Sequence, residues 1–188
     1  MASLTEFNLA EAVTVLGRTP ATLNALLRGL PDIWVLRNEG RSEQGKESWS
    51  AFDIVGHLIA GERTDWMPRV RVILQNGQDR PFEPFDRFAQ VKESQGKSLE
   101  QLLDEFARVR AENVAALQAL NLQPTDLTRR GKHPALGAVT LQELLAAWVV
   151  HDLTHLHQLS RVMAYQYREA VGPWSAYLGV LHCSGHSA

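Results

Sequence analysis

His151-Asp152-Leu153-Thr154-His155 is the segment of this chain best equipped for chemistry. In a helix, residues four apart share a face, so the His151 and His155 imidazoles can turn toward one point with a nitrogen each available to a metal ion. Two ligands are one short of a site. His57, in a second amphipathic stretch, is the candidate third, because facing helices of a bundle can present side chains to a common cavity. The competing expectation is an ordinary buried histidine that satisfies its ring by donating to a backbone carbonyl.

The other four of the seven histidines carry less weight. His157 is two residues beyond His155, roughly 200° around the helix, which suits solvent or a supporting contact better than ligation. His133 falls in a Pro/Gly-rich loop, and His182 and His186 lie in the tail, where no rigid coordination set forms.

Among the acids, Asp152 is the one candidate catalytic residue. It occupies the acid position of an HExxH-like pattern but is shorter than glutamate, and the whole metalloprotease signature is absent. It could orient a histidine or assist proton transfer, against the expectation of an ordinary exposed acid. Asp53, one turn before His57, reads as a helix cap. Glu62 and Asp65 read as a solvated helix face, reaching a cavity only if the Pro68 region bends. Trp49 and Trp66 could frame an apolar pocket near the histidine helix and Trp148 could pack beside the HxxxH face, but core packing explains all three more simply. Tyr165, Tyr167 and Arg168 could position a polar substrate. Cys183 has no neighbouring residues in sequence to activate it, and as the only cysteine it cannot form an intrachain disulfide.

The elements that must position these residues read as helices. Leu9, Val13, Leu16, Leu23, Leu26, Leu27 and Leu30 form a first apolar stripe, capped by Ser3 or Thr5 and bent at Thr19-Pro20. After a polar loop from Arg37 to Glu47, Ser50-Ala-Phe-Asp53 opens a second helix that carries His57 through Val55, Leu58, Ile59, Trp66, Val70, Ile73 and Leu74, kinked at Pro68. Phe85, Phe88 and Val91 suggest a short packed helix. Ser98 opens the third, with a stripe of Leu99, Leu102, Leu103, Phe106, Val109, Val114 and Leu117 and with Glu and Arg between them solvating the outer face. Residues 120 to 140 read as a long connection. Thr140-Leu-Gln-Glu143 opens the fourth helix, which carries Leu144, Leu145, Trp148, His151, His155 and Leu159. A last segment with Trp174, Tyr177, Leu178 and Leu181 is expected to close one end.

Four amphipathic segments must bury their stripes against one another, so the expectation is an all-α four-helix bundle in a single domain spanning 1–188. With 19 basic against 21 acidic residues, the net charge of -2 offers no positive field for nucleic acid. No apolar run approaches the roughly 20 residues of a membrane span, and no basic, apolar leader opens the chain, so a cytoplasmic protein without membrane contact is expected. Neither GxGxxG, a Walker glycine loop nor GxSxG is present.

The stretch Trp49-Ser-Ala-Phe-Asp-Ile-Val-Gly-His57-Leu and the stretch His151-Asp-Leu-Thr-His155-Leu-His157-Gln158-Leu-Ser-Arg161 together resemble the two histidine helices of the DinB-like, or DinB/YfiT-like, superfamily of small four-helix metalloproteins. Matched residue by residue, His57, His151 and His155 fall where that family holds its metal. The resemblance implies a divalent ion, zinc or nickel foremost, and an enzyme that transfers a low-molecular-weight thiol to an electrophile. A metal-dependent hydrolase and a non-catalytic, metal-stabilised small-molecule-binding protein are the alternatives. The ion would leave one coordination position open. Association into a homodimer is compatible with the sequence, though no residue fixes it.

Overall fold

The computed structural model describes residues 6–40, 48–86 and 89–183. Its helices are α1 (Leu9–Leu16), α2 (Thr19–Leu27), α3 (Asp32–Val35), α4 (Ala51–Thr64), α5 (Trp66–Asn76), α6 (Ala89–Glu93), α7 (Leu99–Ala119), α8 (Pro124–Leu127) and α9 (Leu141–Ala164). A two-stranded antiparallel hairpin, β1 (Arg130–His133) with β2 (Gly137–Thr140), precedes α9, and three 3-10 turns follow it. The fold is all-α, a bundle of the bent α1–α2 unit, the broken α4–α5 unit, α7 and α9. In it, α4 packs on both α7 and α9, while α1 lies against α9 and α2 against α7.

Local chemistry sets most helix starts. Ser50, Ser98 and Thr140 each accept from the backbone N–H three residues on, and the side chain of that residue accepts in return from the cap's own N–H. These reciprocal boxes satisfy donors that a helix start leaves open. The first helix differs from expectation: Asn8 is its cap, accepting from Ala10 and Glu11, and Ser3 and Thr5 lie outside the described residues. The break at Thr19-Pro20 is present, with Pro20 in the first turn of α2, where a missing N–H removes no helical bond.

The second helix departs further from its reading. It breaks at Asp65, three residues before Pro68, and Pro68 sits in the first turn of α5. Placing the break there costs the proline no hydrogen bond, whereas a kink inside one continuous helix would. The expected long connection from 120 to 140 contains α8 and the hairpin. Its four-residue strands are too short to show alternation, and the left-handed Gly137 closes the turn. The Phe82 N–H donates to the Lys132 carbonyl at 2.9 Å, fastening the segment after α5 to β1. Gly131 is enclosed there: a Cβ would lie 2.7 Å from both Ile73 Cγ1 and Phe82 Cζ. Gly131→Ala is therefore expected to lower stability by about 1–3 kcal/mol through overpacking. A urea midpoint equal to that of the parent would show that the hairpin is not pressed against α5.

Three more expectations are corrected. Val91 is exposed rather than packed, and Phe88 lies outside the described residues. The 3-10 turns after Gly172 leave Trp174 and Tyr177 70% and 84% exposed, so those rings do not close the bundle. Arg110 does not solvate the outer face of α7, as it is 1% exposed.

The core consists of two apolar clusters. One gathers Leu23, Ile54, Leu58, Leu102, Phe106, Leu159 and neighbours, and the other Leu16, Trp66, Val70, Ile73, Leu117, Leu144 and Trp148. Between them is a buried polar layer: along α9 the apolar run stops at Trp148 and resumes at Leu159, and along α7 it stops at Val109 and resumes near Leu117. Asp152, His155, Gln158 and Arg110 fill those gaps, and Glu62 of α4 joins them. Among the described residues no helix is long and apolar enough to cross a membrane.

Candidate metal centre

The polar layer has two parts, a histidine cluster and an ionic cluster behind it. His57 stands in the second turn of α4, while His151 and His155 share one face of α9. Their potential ligand atoms all lie within 4.8 Å of one another. His151 Nε2 is 3.2 Å from His57 Nε2 and 3.1 Å from His155 Nε2. Two nitrogens each bound at about 2.05 Å to a tetrahedral ion are about 3.3 Å apart, so this spacing fits a common divalent ion. His57 and His155 are buried, at 5% and 0% exposure, whereas His151 is half-buried and gives the cluster its solvent side.

Aromatic rings surround the imidazoles. Trp49 lies 4.6 Å from the His57 ring, Phe85 meets His57 edge-on at 5.3 Å, and Trp66 meets His151 edge-on at 5.0 Å. Burial, reinforced by the neighbouring His155, His57 and Arg110, lowers the pKa of His151 to about 2. The neutral ring that a metal requires is thus held well into the acid range. This has a stability consequence whose sign is fixed. Below its ordinary pKa of 6.5 the unfolded chain takes up a proton at this residue that the folded chain refuses, so stability present above pH 6.5 is lost progressively as pH falls toward about 2. In the presence of a chelator, His151 is expected to withdraw up to about 1.4 kcal/mol per pH unit below 6.5. Urea denaturation at pH 7 and pH 5 should show that slope, and a His151→Asn variant should reduce it. An unchanged slope in the variant would contradict this.

His155 has an orienting bond: its Nδ1 is 2.8 Å from Gln158 Oε1. The sequence reading gave Gln158 no role, although its spacing of three residues from His155 places both on one face.

The ionic cluster centres on Arg110. Its Nη1 donates to Asp152 Oδ2 at 2.5 Å and to the Leu16 carbonyl at 2.9 Å, and its Nη2 donates to Asp152 Oδ1 at 2.9 Å and Glu62 Oε1 at 2.8 Å. Thr19 donates to Asp152 Oδ2 at 2.6 Å, Trp148 Nε1 to Glu62 Oε1 at 2.9 Å, and Asn113 to Glu62 Oε2 at 2.9 Å. One guanidinium thereby joins α1, α4, α7 and α9. Burial opposes its charge, but the bonds and attraction to Asp152 and Glu62 outweigh that and raise its pKa. Burial also raises the Glu62 carboxyl, against the pull of Arg110 and Asn113.

Several expectations change here. Asp152 is fully buried, not an exposed acid, and both its oxygens are engaged. Glu62 is 2% exposed, not part of a solvated face. Asp65 pairs with Arg69 at 2.5 Å, and burial pushes its carboxyl up to about 6. Arg110 itself was legible in principle, since it sits four residues after Phe106 in the α7 stripe. Asp53 is the capping partner of Ser50. His133 accepts from the Ala135 and Leu136 N–H groups in the hairpin turn, His157 lies 3.2 Å from Cys183 Sγ, and His182 contacts the Ser175 carbonyl. Tyr167 packs edge-on to Trp34, and Arg168 stacks on Tyr165. His186 lies outside the described residues.

The family model described as "DinB superfamily" matches residues 16–159, which include α4, α7, most of α9 and all three histidines. The chain belongs to the DinB superfamily. Three solved chains are similar to this DinB-superfamily protein. One is the Bacillus subtilis protein described as "YfiT from Bacillus subtilis is a probable metal-dependent hydrolase with an unusual four-helix bundle topology". It aligns with a TM-score of 0.69 and 19% identity, covering 90% of this chain and 94% of its own. At that identity the likeness supports the DinB bundle as the fold. No curated protein sequence matches the chain.

Proposed function

We propose that the protein is a divalent-metal-dependent hydrolase, with the ion held by His57, His151 and His155. The observation that carries this reading is the convergence of His57, His151 and His155, whose candidate ligand atoms lie within 4.8 Å of one another, with the half-buried His151 placing its Nε2 3.2 and 3.1 Å from those of the other two. The description of the structurally similar Bacillus subtilis protein adds support. A divalent ion bound there would supply Lewis acidity toward water and the group to be cleaved. The protein's own part is positional. Burial keeps the His151 imidazole neutral, the Trp49, Phe85 and Trp66 rings pack against the cluster, and α9 fixes two ligands on one rigid element. In this proposal Asp152 positions rather than transfers a proton: its oxygens hold Arg110 and Thr19, which anchors α9 at the turn that carries His151.

The test is a screen of aryl esters, amides and phosphate esters with metal-loaded protein, chelator-stripped protein and a His155→Ala variant, alongside elemental analysis of the loaded protein. Hydrolysis that needs the ion and the histidine is the expected result. Turnover only when a low-molecular-weight thiol is added would move the assignment to the thiol transferase. Metal bound without conversion of any substrate would leave a metal-stabilised binding protein.

A further inference from the structure

We infer that Gln158 is a positioning residue that sets the tautomer of His155 and thereby its strength as a metal ligand, an inference that rests on the metal-site reading above. Three observations lead there. Gln158 is 93% buried, being 7% exposed, so its amide does not exchange partners freely with water. Its Oε1 stands 2.8 Å from His155 Nδ1, and a carbonyl oxygen only accepts, so the bond places the proton on Nδ1. His155 is wholly buried, and its other nitrogen, Nε2, faces His151 Nε2 at 3.1 Å.

A neutral imidazole carries one N–H and one lone pair, so the proton held at Nδ1 leaves the Nε2 lone pair directed into the cluster. The opposite tautomer would put a hydrogen among nitrogens that are 3.1–3.2 Å apart, in the space an ion needs. Gln158 therefore does for His155 what a carbonyl or carboxylate does behind many metal-bound histidines: it fixes the ring's rotation and makes the far nitrogen more basic. His151 shows no such support among the described residues, where its buried Nδ1 has no hydrogen-bond partner. His155 and His151 are thus unequal, with His155 the pre-set one of the α9 pair.

The experiment combines zinc titration against a chromophoric chelator with nitrogen-15 NMR of the histidine rings, on the parent chain, Gln158→Leu and Gln158→Glu. Gln158→Leu removes the acceptor and is expected to weaken zinc binding about 10–100-fold. Gln158→Glu keeps an acceptor at the same place and is expected to bind at least as tightly as the parent. In the parent, stripped by chelator, the His155 ring is expected to carry its proton on Nδ1. Zinc binding unchanged in Gln158→Leu, or a parent His155 protonated on Nε2, would overturn the proposal. If the leucine variant does not fold, the tautomer in the parent decides. If the parent binds no zinc, the metal-site reading fails while the ring spectra still decide the role of Gln158.

Discussion

Arg110→Met is expected to destabilise the folded chain by about 3–5 kcal/mol, the range seen when one partner of a buried ion pair is removed. The reason is what remains. Asp152 and Glu62 would keep their buried positions without the cation that faces both, and the Leu16 carbonyl would lose a donor. Methionine fills much of the arginine stem's volume, so the loss reports on charge and hydrogen bonding more than on a cavity. Urea denaturation checks it directly. Because the damage comes from unpaired carboxylates, adding Glu62→Gln and Asp152→Asn to Arg110→Met should restore part of the loss, a coupling that independent sites would not show. Additive losses across the three changes would mean that the cluster does not act as a unit.

The second large effect concerns the metal. A ligand that binds only the folded state stabilises it by about 2.7 kcal/mol at a hundred times its Kd. For a domain of this size that is expected to raise the melting temperature by roughly 5–10 °C. The rise should be reversed by chelator and absent from His57→Ala, His151→Ala and His155→Ala, each of which leaves two ligands. The proposed hydrolysis by the metal-loaded protein is expected to fall to background in all three. The comparison within each variant, with and without ion, separates ligation from any cost of the mutation itself. A variant that kept the full metal-induced rise would remove that histidine from the site.

The sequence carried the bundle because the bundle is made of repeated local facts: apolar side chains every three or four residues and a Ser or Thr cap with its acid or amide three positions on. The His151/His155 pairing was visible for the same reason, since four residues of helix set it. Partners brought together by packing were not visible. Glu62 reads as part of a solvated helix face until Arg110, 48 positions later, and Trp148, 86 positions later, are seen to close over it. Asp152 likewise looks exposed until Thr19 arrives from 133 positions away. The break before Trp66 was misplaced because Pro68 is the obvious signal, yet the chain turns where the proline loses nothing. Phe85, whose spacing to Phe88 and Val91 suggests a helix, lies instead in the irregular segment before α6, and that spacing carries no sign of its contact with His57.

The polar layer between the two apolar clusters also settles a question that oily surfaces alone leave open, namely how the helices are aligned lengthwise. Apolar stripes accept several offsets, and a slide of one turn, about 5.4 Å, still lays leucine on leucine. Here such a slide of α9 would carry Asp152 away from Thr19 and Arg110 and into an apolar cluster, stranding charge on both sides. The layer works like the key in a lock stack: one offset closes every ion pair, the same offset brings His151 and His155 level with His57, and neighbouring offsets are rejected together.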